Sequence, residues 1–295
     1  MNRLALGSAQ FGLDYGITNP SGRVGQNQVV AILDLAAKSG IDTIDTARLY
    51  GDSESVIGRR WPVGAEFRVV TKTAKFVDSV DAQEAVEQLR AGFEASLDAL
   101  RRPAVHGLLV HDAHDLFGQF GTALWSALEE LKRSGRVARI GVSVYEPDEI
   151  DAILERFPIE IVQLPLSPFD HRLVRGGQLE KLNEAGAEIH ARSVFLQGLM
   201  LAPVRNIPQK FAGLGSALEQ LDSALAEHGL NRLEGVLAIV LSRTEIDRFV
   251  LGVTSTAELD EIVAAAHRAQ SIGPLDVDLP ELDARYLNPA RWHEL

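Results

Sequence analysis

The sequence predicts an α/β protein, a single-domain (β/α)8 TIM barrel spanning residues 1–295. Three observations lead there. Short apolar runs alternate with amphipathic stretches about eight times along the chain. Several of those runs are continuously apolar, as strands covered on both faces are. The 295 residues contain no linker and no break in composition, which suits eight βα units in one closed barrel.

The units follow in order. Residues 3–7, RLALG, precede a helix over 27–40, apolar at Val29, Val30, Leu33 and Ala37 and stopped by Gly40. The run 41–45, IDTID, precedes a helix over 53–61. The run 67–72, FRVVTK, precedes a long helix over 81–100 with Leu89, Phe93, Leu97 and Leu100 on one side. Strands at 105–111, 137–143 and 159–165 precede helices at 121–135, 146–157 and 177–186, the second opened by Pro147. The strand at 187–193 leads into a long excursion and helices at 213–228 and 231–242. The strand at 248–252 precedes the helix 256–269. A doubly wound sheet is the alternative. Against it, GSAQFG after the first strand is not G-x-G-x-x-G, and no helix is expected to follow at once.

Composition narrows the function. The chain has 46% hydrophobic residues, enough for a large core, and a net charge of −12 without charge blocks, which disfavours a phosphate-tracking nucleic-acid surface. It has no cysteine, so disulfides and thiolate metal ligands are excluded. The start meets Gly7 and Gln10 too early for a secretory apolar segment, and no apolar run reaches the ~18 residues of a membrane span. A soluble, cytoplasmic protein is expected, with no nucleic-acid or membrane partner.

In a barrel of this type the chemistry lies at the C-terminal ends of the strands. Those positions hold Asp45 with Tyr50 in the following loop, Lys72, His111, Ser143, Gln163, and Arg192 with Ser193. A free tyrosine has a pKa of ~10, too high for easy proton donation at neutral pH, and a nearby cation lowers it. Lys72 is the expected cation, with Asp45 as its counter-charge. His111 is placed to orient a substrate oxygen. Together the four suit protonation of a carbonyl oxygen as hydride reaches its carbon. None of them carries a hydride, so a nicotinamide cofactor, NADP(H) or NAD(H), is required. Taken singly, each has a bland reading: Asp45 as a helix or turn cap, Tyr50 as packing, Lys72 as a solvated strand end with Lys75 as competitor, His111 as a loop histidine.

DTARLYGDSE, VVTK, LLVHD, GVS followed by IVQLP, RSVFLQGLM and VLGVTSTAELDEIV occur in that order. With them the chain resembles the aldo/keto reductases, and DTARLYGDSE is the most specific of the motifs. The resemblance implies a (β/α)8 barrel and a small-molecule carbonyl substrate. It implies Tyr50 as general acid tuned by Lys72, Asp45 holding Lys72, and His111 orienting the carbonyl. It further implies Ser143 and Gln163 at the nicotinamide carboxamide, and Gly7 and Ser8 at its ribose. Ser193, Leu196 and Gly198 would lie at the pyrophosphate, and Gly252, Thr254, Ser255 and Glu258 at the adenosine end. The chain departs from the family in three places. Val144 stands where Asn is usual. Arg192 stands where an aromatic often stacks on the nicotinamide, and it is expected either to stack or to face a polar or anionic substrate. The 2′-phosphate segment has Thr254 and Ser255 in place of a base, with Ile262 for a common Asn.

Two other functions fit parts of the sequence: a metal-dependent barrel hydrolase built on HDAHD (111–115), and a barrel that binds a nicotinamide nucleotide as a non-catalytic sensor. The expected pocket walls are residues 10–25, 47–52, 73–80, 112–120, the region after the strand at 187–193 and the C-terminal tail, with Arg48, Phe76, Phe117, Arg192 and Trp292 as candidate lining. The oligomeric state is open.

Overall fold

Strand residues point alternately to opposite faces, so a parallel sheet closed on itself sends every second side chain inward. In the computed structural model, which describes residues 3–76, 79–275 and 277–295, eight parallel strands close in sequential order, β1 to β8. They are Leu4–Gly7, Thr43–Asp45, Arg68–Lys72, Val105–Val110, Val137–Ser143, Ile161–Pro165, Glu188–Arg192 and Arg248–Gly252. Pairing of β1 with β8, Gly7 opposite Gly252, completes the ring. The main helices run where the apolar periodicity places them, at Gln26–Lys38, Ser53–Arg60, Ala82–Leu100, Gly121–Arg133, Pro147–Leu154, Gln178–Glu184, Ala212–Glu227, Arg232–Leu241 and Thr256–Ile272.

Local chemistry sets the helix ends. Asp81 caps Ala82–Leu100 by accepting from the Glu84 amide, and Arg101 leaves that helix in a left-handed conformation. Asn231 and Glu234 form a reciprocal capping box. One expectation fails: a single helical turn, Ala9–Gly12, follows β1 at once. It has no apolar periodicity to announce it, and its tight packing against the next βα loop holds it.

Most of the core lies between the strands and the surrounding helices. Inside the barrel, Val70, Leu109 and Ile161 form a separate fully buried layer. Each sits two residues before Lys72, His111 and Gln163, so this dry layer is the floor on which the polar residues stand. Gly141 completes it, because a side chain there would collide with the Ile161 carbonyl. Among the described residues no helix is long and apolar enough to cross a membrane.

Candidate active site

Register brings the strand ends together. Asp45 pairs with Gly7 and Val70, Lys72 with Leu109, and Ser143 with Gln163. Backbone bonds carry the ladder one residue beyond the strands: Ser8 donates to the Asp45 carbonyl, Thr46 to Val70, and Val144 to Gln163. The strand ends therefore form one continuous rim around a cavity of about 730 Å³.

At its base the Lys72 ammonium lies 2.7 Å from Asp45 Oδ1 and donates to the Thr46 carbonyl at 3.0 Å. Gln163 Nε2 donates to the same Asp45 oxygen at 2.7 Å. All three side chains are buried, so Asp45, which lacks a partner nearby in sequence, finds one on the adjacent strand and one across the barrel. Tyr50 Oη approaches Lys72 Nζ to 3.5 Å, and the His111 ring meets the Tyr50 ring edge-on at 5.9 Å between centroids.

The Tyr50 loop is clamped from below. Gly51 adopts φ 54°, in the left-handed region where glycine is at ease, and the Ser53 amide donates to the Tyr50 carbonyl. Ser53 Oγ also donates to the Ser8 carbonyl and lies 2.7 Å from the Ser8 hydroxyl, joining this loop to β1. Gly12 lies so close that a side chain there would strike the Tyr50 carbonyl oxygen and the Ser53 amide.

Electrostatics revise one expectation. Burial pushes the Tyr50 hydroxyl well above the usual phenol range, Asp45 adds to the rise, and Arg192 opposes it. Lys72 does not produce the expected lowering. Its charge is paired with Asp45, and an ion pair acts at a distance only as a dipole. Burial also lowers Lys72, against the pull of Asp45. Burial, and then repulsion from Lys72, push His111 down to about 4, so its imidazole is neutral at pH 7 and offers one N–H.

Fourteen of the sixteen sequence-predicted positions line this one cavity: Gly7, Ser8, Asp45, Tyr50, Lys72, His111, Ser143, Gln163, Arg192, Ser193, Gly198, Gly252, Thr254 and Glu258. Leu196 and Ser255 do not. The Leu196 side chain is buried in the core, and Ser255 caps the helix Thr256–Ile272 through the Glu258 amide. Thr254 is likewise engaged: its hydroxyl and amide both donate to Glu258, each at 2.7 Å. Arg48, Phe76, Phe117 and Trp292 lie off the cavity. Arg48 turns toward Glu54, and Trp292 packs on Phe211. Residues 77 and 78 of the expected wall lie outside the described residues.

The expected walls supply Gln10, Tyr15, Thr18 and Gln197 to the lining, whereas sequence reasoning missed Tyr145 and Glu261. Tyr145 was the more legible of the two, since it directly follows a strand end and its neighbour Val144. Its amide is pinned by Glu149, and its ring lies under the Arg192 guanidinium, 3.9 Å from Cζ. The HDAHD residues separate rather than converge: His111 lines the cavity, whereas His114 is exposed against Asp112. Among the described residues no group of three metal-ligating side chains forms.

The sequence model of the aldo/keto reductase family matches residues 3–272. The chain belongs to the aldo/keto reductase family. It is an NAD(P)H-dependent oxidoreductase with small carbonyl compounds as substrates. Among named relatives, the reductase is 26% identical over 280 residues to L-galactose dehydrogenase of Arabidopsis thaliana, covering 89% of this chain and 85% of the relative. It is also 26% identical over 180 residues to glyoxal reductase of Bacillus subtilis, 59% of this chain and 61% of the relative. The reductase superposes on an aldo-keto reductase of Bacillus halodurans in its holo form with TM-score 0.68 at 18% identity, covering 94% and 93% of the two chains. A glycerol dehydrogenase of Gluconobacter oxydans gives 0.67 at 20%, with 96% of each covered.

Proposed function

We propose that the reductase protonates its carbonyl substrate from Tyr50, with His111 orienting the carbonyl oxygen and Lys72 receiving the charge left behind. The approach of Tyr50 Oη to Lys72 Nζ at 3.5 Å, beside a neutral histidine at the base of the cavity, carries this reading. The His111 N–H and the Tyr50 O–H both reach toward one carbonyl oxygen and polarise it. As the carbon accepts hydride, the oxygen becomes an alkoxide, a stronger base than tyrosinate, so the proton passes from Tyr50 Oη to it. The raised pKa of Tyr50 keeps that proton in place until then. The tyrosinate then faces the Lys72 ammonium, which Asp45 holds in position.

The residues fit a nicotinamide cofactor on their own terms. Gln163 Oε1 is buried without a partner, an acceptor suited to a carboxamide N–H, with the Ser143 hydroxyl beside it on the next strand. Gly7, Gly198 and Gly252 leave backbone open where a Cβ would crowd Val250, Thr18 and Gln10. When bound, the reduced nicotinamide supplies the hydride.

The adenosine end has no base. Lys72 and Arg192 are the cations of the cavity lining, both at the carbonyl end, while Glu258 and Glu261 line the other. Arg248 points away, to Thr43 and Asp42 at the strand starts, and Arg268 lies roughly 20 Å down its helix from Ser255. NADH is therefore a usable cofactor, and NADPH preference is weak.

The test is Tyr50→Phe. It should lower kcat ~10²–10⁴-fold while NADH affinity, read by fluorescence titration, stays near wild type. Retention of more than a tenth of kcat, where chemistry limits the rate, would remove Tyr50 as the acid. Tight nucleotide binding with no turnover on any aldehyde or ketone by wild type would favour the sensor reading instead.

A further inference from the structure

The charges lining the cavity do not cancel locally. At the carbonyl end Lys72 has Asp45 at 2.7 Å, an ion pair that is complete in itself. His111 is neutral at pH 7. Arg192 stands apart. Its Nη2 donates to the Val144 carbonyl at 2.9 Å and its Nη1 to the Ser193 hydroxyl at 3.4 Å. Its plane lies on the Tyr145 ring. All three partners are neutral, and no ion pair forms at Arg192 among the described residues. A guanidinium has five donors, so three remain open.

A cation half-withdrawn from water is unfavourable without a counter-charge, and an aromatic face offsets only part of that. The fold nevertheless holds this one firmly. β7 supplies its backbone, Tyr145 fixes its plane from below, and Glu149 fixes Tyr145 by accepting from its amide at 2.6 Å. Arg192 also acts electrostatically on Tyr50, Lys72, His111 and Tyr15, which places it within reach of the reacting carbonyl rather than at the far end of the cavity. An immobilised guanidinium with a free edge is a receptor for paired anionic oxygens, because its planar fork matches carboxylate and phosphate.

We infer that Arg192 is a substrate-specificity residue, and that the preferred substrates are carbonyl compounds bearing a carboxylate or phosphate a few bonds from the reacting carbon. The inference rests on the carbonyl-reductase reading of the cavity and adds the counter-ion that the protein itself lacks there. The anionic group settles on Arg192, while the carbonyl oxygen meets Tyr50 and His111. Arg192 takes no part in proton transfer. It selects and aligns.

The experiment compares matched pairs of substrates: succinic semialdehyde against butanal for a carboxylate, and glyceraldehyde 3-phosphate against glyceraldehyde for a phosphate. Wild type should show a kcat/KM at least tenfold higher for the charged member of one pair, and which pair responds identifies the anion. In Arg192→Gln, which keeps hydrogen-bond donors but removes the charge, that ratio should fall at least tenfold. Arg192→Lys should recover part of it. NADH affinity of each variant is measured in parallel by fluorescence. A wild-type enzyme that reduces the neutral aldehydes with no charge preference overturns the inference and leaves the carbonyl-reductase reading standing. A ratio unchanged in Arg192→Gln also overturns it, and an accompanying tenfold loss of NADH affinity would assign the guanidinium to the cofactor phosphates. Failure of wild type to reduce any member of either pair would count against the underlying reading and the inference together.

Discussion

The two ends of the cavity are built in different ways. At the carbonyl end the polar groups of the proposed site come from separate strands: Asp45 from β2, Lys72 from β3, His111 from just beyond β4 and Gln163 from β6. They are joined by bonds between residues 27 and 118 positions apart, over a floor of Val70, Leu109 and Ile161. At the adenosine end, Thr254, Ser255 and Glu258 satisfy one another within four residues, at the exposed first turn of one helix. Barrel register therefore sets the geometry of the proposed chemistry, whereas a local cap shapes the proposed adenosine end. A change in the first is expected to disturb several strands at once, a change in the second only its own helix turn.

The largest effect that would expose this difference is at Lys72. Lys72→Met leaves Asp45 as a buried carboxylate without its cation, which costs ~3–5 kcal/mol of stability. It also removes the charge proposed to face the Tyr50 tyrosinate. A loss of kcat of more than ~10²-fold is expected, together with a lower Tm. Adding Asp45→Asn should restore much of the Tm but not the activity. Lys75→Met should stay within about twofold of wild type, as expected for an exposed side chain. Equal damage at the two lysines, or recovery of activity in the double variant, would break the assignment.

Much of the carbonyl end was legible in the sequence because a strand is a short apolar run and its last inward residue has a fixed place on the rim. Once eight such runs were counted, Asp45, Lys72, His111, Ser143 and Gln163 had to face one another. The direction of the Tyr50 pKa was not legible. It depends on burial and on how completely Asp45 neutralises Lys72, both of which arise from packing. Nor was the role of Tyr145: the contact joins β7 to the loop after β5, and no local pattern encodes it. Leu196 and Ser255 stay out of the cavity lining for the opposite reason. Their motif lies at the cavity, but one side chain turns into the core and the other is consumed by a cap. The short helix Ala9–Gly12 escaped notice because its single turn has no period to read.

That turn provides the intermediate test. Gly12 carries no catalytic group, yet it bears directly on the carbonyl of Tyr50 and the amides of Asp52 and Ser53. Gly12→Ala forces the loop away from β1 and shifts Tyr50 relative to Lys72 and His111. Misplacing a reacting group by about 1 Å is enough to lower turnover on the order of 10²-fold; a loss in kcat between tenfold and that value is expected. NADH affinity should change far less, since Gln163 and Ser143 are set by other strands. A fall in Tm with kcat unchanged in the surviving folded fraction would show that Gly12 serves packing alone.

The smallest effect is expected at the adenosine end. Thr254→Arg introduces a cation where the cavity has none, but at an exposed site beside Glu258 and Glu261. A charge-assisted bond to a 2′-phosphate can contribute ~1.5–3 kcal/mol; solvent screening and competition from the two glutamates reduce it toward ~1 kcal/mol. At ~1.4 kcal/mol per factor of ten, the kcat/KM ratio of NADPH to NADH should rise about fivefold. Glu258→Gln should move it in the same direction by removing a repelling charge, whereas Arg268→Met, some way down the same helix, should leave it unchanged. The three variants measured on one aldehyde separate a local cap from a distant base. A wild-type enzyme that already prefers NADPH strongly, with the ratio unmoved by Thr254→Arg but lost in Arg268→Met, would show that the phosphate is held from outside the cap. The adenosine end would then depend on long-range structure as the carbonyl end does.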